Sequence, residues 1–141
     1  MPVRQSEAEW KGTLREGAGK VKVGKGGYEG SYSFASRFED GAGTNPEELL
    51  GAAHAGCFSM ALAAAITGAG HKPTRVHTVA KVSIEKVGDG FGVTKIELVC
   101  DAEVPGLDAA TFAKLADGAK SGCPISRALA ATPITLQATL R

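Results

Sequence analysis

Apolar and polar residues alternate along two groups of short segments, which are separated by one long segment without charges. In the first group, alternation around Val21 and again from Tyr28 to Phe34, with a glycine-rich turn at 24–27, predicts strands near the N-terminus. The second group predicts a hairpin at Gly88-Asp89-Gly90, because two longer alternating segments flank this turn signal. Its first strand places these side chains on one face: Val76, Thr78, Ala80, Val82 and Ile84. Its return strand does the same: Thr94, Ile96, Leu98 and Cys100.

The uncharged segment 49–66 predicts a long helix in the middle of the chain. It follows strong start signals, since Asn45 can cap free amides, Pro46 suits the first helical position, and two glutamates come next. The segment is long enough to cross a membrane, but half of its positions are Gly or Ala and polar residues interrupt it. We therefore predict a helix that is buried on most sides within the protein and ends near Thr67.

The last third of the chain predicts two helices and a strand. Asp108 is positioned to cap a short helix, Cys123-Pro124 opens another, and alternation over Ile134–Leu140 indicates the last strand. The element order is strands, helix, strands, helices and strand, which is typical of an α+β fold with antiparallel sheets. We predict a single domain over residues 1–141, with two antiparallel sheet halves around the central helix.

Charge and cysteine count restrict the function and the compartment. The 141 residues carry 16 Lys and Arg against 15 Asp and Glu, a formal net charge of +1, so no nucleic-acid partner is expected. Three cysteines do not suit a secreted disulfide framework, and the opening residues lack a secretory signal pattern. We therefore expect a cytoplasmic protein with no membrane partner.

The three cysteines occupy different positions in the predicted elements. Cys57 lies in the middle of the long helix, where a thiol is either a small core residue or a nucleophile activated from elsewhere. Cys123 stands where it can cap a helix, so free backbone amides can stabilise a thiolate, although such a cap can also be only structural. Cys100 falls on the apolar face of a strand, which predicts an inert core thiol.

Other polar residues leave a metal site and an ion pair as open alternatives. His54 and Cys57 are three positions apart on one helical face and could supply two ligands, but no Cys-x-x-Cys or His-x-x-x-His pair completes a zinc site. Glu47 can be a simple partner of the helix dipole. Arg37, just before a glycine-rich loop, can be an ordinary surface charge.

Four segments of the sequence resemble the osmotically inducible protein C family, whose members are thiol peroxidases related to the organic hydroperoxide resistance proteins. The segments are 44–62, 89–96, 104–108 and 119–126, and the first is a specific motif. The likeness extends over nearly the whole chain. Within this superfamily, Gly51-Ala52-Ala53-His54 before Cys57 resembles the osmotically induced branch.

The resemblance implies an intertwined homodimer with active sites at the subunit interface and with no metal, haem or other cofactor. It implies that Cys57 attacks the peroxide and that Cys123 resolves the resulting sulfenic acid as a Cys57–Cys123 disulfide. It also matches Arg37 and Glu47 to the catalytic arginine and glutamate of the family. The implied reductant is a dithiol, such as a lipoylated protein, and the implied substrates are organic hydroperoxides and, more weakly, hydrogen peroxide.

This chemistry defines what the residues must do. The nucleophile has to be a thiolate, so the pKa of Cys57 has to fall below its ordinary value of about 8.5. Arg37 is the natural cation, and we expect Glu47 to hold it as a bidentate partner. An apolar pocket must admit the alkyl group of the peroxide. The candidate walls are Phe38, Leu50, Phe58 and Met60.

Two other functions stay open at this point. A small apolar-ligand binding protein of the stress response could use the same pocket without consuming peroxide, and a zinc-dependent hydrolase would require stoichiometric metal. The capping argument alone favours Cys123 as the thiolate, whereas the resemblance makes Cys57 the attacking residue. We expect the latter, with Arg37 supplying the activation.

Overall fold

Six strands and four helices form the computed structural model, which describes all 141 residues. The strands are β1 (Ser6–Lys11), β2 (Ala18–Val23), β3 (Tyr28–Tyr32), β4 (Arg75–Val87), β5 (Gly90–Glu103) and β6 (Ile134–Leu140). The helices are α1 (Phe34–Phe38), α2 (Pro46–Gly68), α3 (Ala109–Gly122) and α4 (Pro124–Ala128). Two compact units divide the chain, Met1–Leu49 and Leu50–Arg141, and each contains one sheet. The α+β prediction with two sheets is confirmed, while the single domain over 1–141 stays a prediction.

The N-terminal unit contains an antiparallel sheet in the order β1-β2-β3. Gly19 on β2 pairs with Trp10 on one side and Tyr32 on the other, and the two aromatic rings meet with their centroids 5.3 Å apart. A Cβ at position 19 would lie only 2.5 Å from the Tyr32 ring. Glycine is therefore required here, because any side chain would separate the two rings.

The residues after Tyr32 differ from the prediction, because Phe34 begins a helix and does not continue a strand. Ser33 and Ser36 form a capping box: the Ser33 hydroxyl accepts from the Ser36 amide at 3.1 Å, and the Ser36 hydroxyl accepts from the Ser33 amide at 2.8 Å. Bonds of this kind satisfy the free amides at a helix start. Arg37 therefore lies on α1, which positions it more firmly than a loop would.

The long helix α2 begins and ends where predicted, but only one stripe of it is buried. Its start is capped by Asn45, whose Oδ1 accepts from the Glu48 amide at 2.8 Å. Buried positions recur at the helical period: Glu47, Gly51, His54, Phe58, Leu62 and Ile66. The prediction of burial on most sides is wrong for this chain. The opposite face carries small residues and Met60, whose side chain is 77% exposed.

α2 is also a helix whose length and hydropathy would allow a membrane crossing. A single helix of this kind is weak evidence, since the core helix of a soluble protein has the same length and composition. Three of its large apolar side chains, Phe58, Leu62 and Ile66, pack in the core of the C-terminal unit. This packing is typical of a core helix.

The C-terminal unit contains the sheet β4-β5-β6. β4 and β5 form the predicted antiparallel hairpin, in which Gly88 adopts a φ of 60° in the turn. β6 pairs with β5 in parallel, so the antiparallel prediction is wrong for this strand. The connection explains the difference, because α3 and α4 cross over between β5 and β6 and return the chain in the same direction.

Alternating residues of β5 form one wall of the core in the C-terminal unit. Ile96, Leu98, Cys100 and Ala102 are each at most 1% exposed. Burial raises the pKa of Cys100, so its thiol stays protonated. Cys100 is thus a buried core thiol, as its strand position predicted.

The buried face of α3 provides a test of this core. Phe112→Ala should lower the free energy of unfolding by about 3–5 kcal/mol, because it removes a large buried side chain and leaves a cavity. Lys114→Ala, on the exposed face of the same helix, should change it by less than about 0.5 kcal/mol. Urea unfolding followed by circular dichroism measures both changes. Equal losses for the two variants would contradict the assigned face of α3.

Candidate active site

The structure brings two of the three cysteines together in the C-terminal unit. Cys57 lies in the middle of α2, and Cys123 lies at the junction of α3 and α4, 66 positions later in the chain. The two side chains are close enough to interact, because the Cys123 thiol raises the pKa of Cys57. Cys57 is half-buried, whereas Cys123 is 1% exposed. Proximity of two thiols is the prerequisite for a disulfide.

The surroundings of Cys57 within this unit favour the protonated thiol. Burial raises the pKa of Cys57, and the neighbouring Cys123 thiol raises it further. The backbone amide of Ile125 acts in the opposite direction, because an N–H that points at sulfur stabilises the thiolate. An additional cation is therefore required if Cys57 is to be a thiolate at neutral pH.

Cys123 ends α3 and caps α4, as the Cys123-Pro124 pair predicted. Its Sγ accepts a hydrogen bond from the Ser126 amide at 3.3 Å, and Pro124 occupies the first turn of α4. Its own amide donates to the Ala119 carbonyl at 3.1 Å. The position of the thiol is thus fixed by backbone hydrogen bonds on both sides.

Ser126 lies against Cys123 and His54 lies against Ser126, and the sequence had assigned neither of them to the site. Ser126 Oγ lies 3.1 Å from Cys123 Sγ and 2.7 Å from His54 Nε2. His54 is completely buried, and its Nδ1 has no hydrogen-bond partner. Burial lowers the pKa of His54, which favours the neutral imidazole.

Spacing was the only sequence signal for this cluster. Ser126 follows Cys123 by three residues, and His54 precedes Cys57 by three residues. The first spacing places Cys123 and Ser126 together at a helix start, and the second places His54 and Cys57 on one helical face. Neither spacing shows that the two pairs lie close together. The His54–Cys57 spacing had allowed a metal site, but in the structure His54 Nε2 lies within hydrogen-bond distance of Ser126 Oγ. No group of three or more His, Cys, Asp or Glu side chains is positioned to hold a metal ion.

Arg37 and Glu47 form an ion pair within the N-terminal unit. Nε of Arg37 donates to Oε1 of Glu47 at 2.7 Å, and Glu47 is buried in the first turn of α2. This is a single hydrogen bond, so the prediction of a bidentate pair is wrong. Because only Nε donates to Glu47, the hydrogens of the terminal guanidinium nitrogens remain for other acceptors.

An apolar cleft of about 390 Å³ lies beside Arg37 in the N-terminal unit. Its large apolar lining residues are Trp10, Leu14, Tyr32, Phe34 and Phe38. Of the predicted pocket walls, Phe38 lines this cleft and Leu50 is half-buried. Phe58 is wholly buried in the core of the C-terminal unit and Met60 is exposed, so these two do not line the cleft.

Known proteins share both the sequence and the fold of this chain. A family model described as OsmC-like protein matches residues 39–138. The chain is 47% identical over 139 residues to Peroxiredoxin OsmC of Escherichia coli (strain K12), which covers 98% of this chain and 96% of the relative. It is 39% identical over 89 residues to the Organic hydroperoxide resistance protein of Xanthomonas axonopodis pv. citri (strain 306), which covers 62% of this chain and 61% of the relative.

A solved structure of an OsmC-like protein of unknown function from Vibrio cholerae has the same fold. Its TM-score is 0.78 at 18% identity, and the match covers 99% of this chain and 100% of that one. At this identity the likeness shows the fold alone. The family match and the full-length relative confirm the resemblance seen in the four sequence segments. The chain belongs to the OsmC-like protein family.

Proposed function

We propose that this chain is a thiol peroxidase that reduces organic hydroperoxides, and more weakly hydrogen peroxide, through Cys57 and Cys123. Its family makes it a peroxidase-type oxidoreductase. The names of two relatives, a peroxiredoxin and an organic hydroperoxide resistance protein, support the substrate class. The observation that carries the proposal is the proximity of Cys57 to Cys123, whose thiol raises the pKa of Cys57.

In the first step, the thiolate of Cys57 attacks the terminal oxygen of the hydroperoxide. A sulfur–oxygen bond forms, the oxygen–oxygen bond breaks, and the alkoxide leaves and takes up a proton to become an alcohol. Cys57 is oxidised to a sulfenic acid as the peroxide is reduced. Exposure supports this assignment, because the half-buried Cys57 is more accessible to a peroxide than Cys123, which is 1% exposed.

We assign the activation of Cys57 to Arg37. A cation is needed because burial raises the pKa of Cys57, and a guanidinium stays charged while it donates to sulfur and to the peroxide oxygens. Glu47 anchors Arg37 through Nε, which leaves the terminal nitrogens for these acceptors. The arginine comes from the same chain or from the second subunit of the proposed homodimer.

In the second step, the thiolate of Cys123 attacks the sulfenic sulfur of Cys57. The sulfur–sulfur bond forms, the sulfur–oxygen bond breaks, and the leaving hydroxide takes up a proton to become water. A dithiol, such as the lipoyl group of a lipoylated protein, then reduces the disulfide by thiol–disulfide exchange. This returns both thiols of the enzyme and leaves the reductant as a cyclic disulfide.

The active form is proposed to be a homodimer in the cytoplasm. The face of α2 that points away from the core exposes Met60 together with the small residues Ala52 and Gly56. A second copy of the chain can approach such a face closely and cover its apolar surface.

A second candidate function is that of a small apolar-ligand binding protein of the stress response that does not turn over peroxide. The aromatic cleft beside Arg37 favours it, because apolar clefts of about 390 Å³ suit small ligands. Mixing metal-free protein with tert-butyl hydroperoxide and dihydrolipoamide separates the candidates. Only a peroxidase consumes the hydroperoxide, so the absence of turnover would contradict the proposed function.

Replacement of each cysteine should separate their roles. Cys57→Ser should reduce the consumption of tert-butyl hydroperoxide to the uncatalysed rate, because the nucleophile is lost. Cys123→Ser should still consume about one equivalent and accumulate a sulfenic acid at Cys57 that dimedone traps. Cys100→Ala, at the buried core thiol, is the control and should retain turnover. Sulfenic acid at Cys123 in the Cys57→Ser variant would reverse the assigned roles.

Removal of the guanidinium should raise the pKa of Cys57 and slow its reaction with peroxide. Each unit by which a thiol pKa lies above the pH lowers the thiolate fraction tenfold, so Arg37→Gln should lower the second-order rate constant about 10- to 100-fold at neutral pH. Arg4→Gln, at an exposed arginine near the N-terminus, is the matched control and should leave the rate unchanged.

The pH dependence of the second-order rate constant tests whether Arg37 lowers the pKa of Cys57. Because the thiolate fraction increases as pH rises, the wild-type rate constant should rise with pH until it passes the pKa of Cys57. The profile of Arg37→Gln should have the same shape but be displaced to higher pH, because the pKa of Cys57 is higher in this variant. Stopped-flow mixing with cumene hydroperoxide measures both, and superimposable profiles would show that Arg37 does not act on the thiol.

A further inference from the structure

We propose that Ser126 and His54 form a proton relay that deprotonates Cys123 as it attacks the sulfenic acid of Cys57. This inference rests on the proposed function and adds two residues to its second step. Ser126 touches the reacting sulfur of Cys123 and is the catalytic member. His54 acts through Ser126 and is the positioning member.

The relay is visible as an unbroken chain of short contacts in the C-terminal unit. Cys123 Sγ lies 3.1 Å from Ser126 Oγ, and Ser126 Oγ lies 2.7 Å from His54 Nε2. The three side chains are almost completely buried, at 1%, 4% and 0% exposure in that order. Protons can therefore move along the chain without water being inserted between its members.

One arrangement of donors and acceptors allows proton transfer from a protonated Cys123. In it the thiol donates to Ser126 Oγ, and the hydroxyl of Ser126 donates to Nε2 of His54, which carries no hydrogen. The imidazole hydrogen of this tautomer sits on Nδ1. Burial lowers the pKa of His54 and so favours the neutral imidazole, which means that a proton accepted at Nε2 is held only briefly.

The unpartnered Nδ1 argues against a purely structural role for His54. A completely buried polar atom without a hydrogen-bond partner lowers stability, and an apolar residue at this position of α2 would avoid that cost. The second nitrogen has a use in the relay, however, because Nε2 is free to accept a proton only while Nδ1 carries the imidazole hydrogen. The residue is thus suited to proton transfer more than to packing.

The proton balance of the step closes within these residues. As Cys123 Sγ bonds to Cys57 Sγ, the Cys123 proton passes to Ser126 Oγ and the Ser126 proton passes to His54 Nε2. The Cys57 sulfur–oxygen bond breaks, and the hydroxide leaves. The proton held by His54 then returns through Ser126 and neutralises the hydroxide. The sum is one sulfenic acid and one thiol converted to one disulfide and one water.

Ser126 also lines a cleft of about 500 Å³, whose other polar lining residues include Ser121 and Thr132.

The test separates the two chemical steps by mixing reduced protein with one equivalent of tert-butyl hydroperoxide. Sulfenic acid formation is followed by dimedone trapping, and disulfide formation by acid quench, alkylation and mass measurement. Ser126→Ala and His54→Gln should form the sulfenic acid at the wild-type rate but the disulfide at least about tenfold more slowly, because a general base is lost. Ser126→Thr, which keeps the hydroxyl, should recover most of the loss.

Ser121→Ala is the matched control, because it removes a serine hydroxyl that lines the same cleft but does not contact Cys123. Circular dichroism establishes that each variant is folded. As a measurement on the unaltered chain, disulfide formation in heavy water should be slowed about twofold or more, as expected for proton transfer in the step. This measurement keeps the test decisive if His54→Gln does not fold.

The outcomes distinguish the relay from the function on which it rests. Wild-type disulfide formation in both Ser126→Ala and His54→Gln, or no slowing of the wild type in heavy water, would overturn the relay while leaving the peroxidase intact. Failure of the wild-type chain to form any sulfenic acid would overturn both. A slow second step in Ser126→Ala that Ser126→Thr restores would support the relay.

Discussion

The proximity of the Cys57 and Cys123 thiols is the constraint on which the proposed chemistry depends. A disulfide requires Cα atoms about 4.4–6.8 Å apart, and these residues are separated by 66 positions of sequence. Two features of the fold bring them together. The buried stripe of α2 packs Cys57 against the core, and the junction of α3 and α4 holds Cys123 by backbone hydrogen bonds. The crossover that makes β6 parallel to β5 is the same segment that delivers Cys123.

The burial around this thiol pair also opposes reactivity. It raises the pKa of Cys57 and keeps Cys123 away from solvent. In the proposed chemistry, different residues assist each thiol. Arg37, oriented by Glu47, supplies charge to the attacking thiol. Ser126 and His54 supply a proton acceptor to the resolving thiol. The permanent charge of Arg37 suits the half-buried thiol, whereas the buried thiol is served by groups that are neutral before the reaction and carry charge only until the hydroxide leaves.

Local signals accounted for much of the fold. Alternation predicted the strands, and the caps Asn45, Asp108 and Cys123 predicted three helix starts, because each of these signals acts within a few residues. The predictions were wrong where side-chain capping or contacts between distant parts of the chain determine the structure. Alternation predicted a strand at Phe34, but the capping box of Ser33 and Ser36 begins helix α1 there. Alternation alone does not reveal a capping box. The direction of β6 depends on a crossover, which periodicity does not report.

The candidate site was predictable only in part, for the same reason. The family resemblance supplied Cys57, Cys123, Arg37 and Glu47. Neither the single hydrogen bond of the ion pair nor the cluster at Cys123 could be seen in it. His54 and Ser126 lie 72 positions apart, so their hydrogen bond is a product of tertiary structure alone. The spacing of His54 and Cys57 is compatible with a metal site and with core packing. Only the hydrogen bond from His54 to Ser126 shows which group His54 contacts.

The most direct test of this account is the disulfide itself. Reduced protein is treated with one equivalent of tert-butyl hydroperoxide, alkylated and digested, and the cross-linked peptides are identified by mass spectrometry. We predict one linkage, between the peptides that contain Cys57 and Cys123, with Cys100 alkylated. A linkage that includes Cys100, or full alkylation of all three cysteines after the peroxide has been consumed, would contradict the central claim.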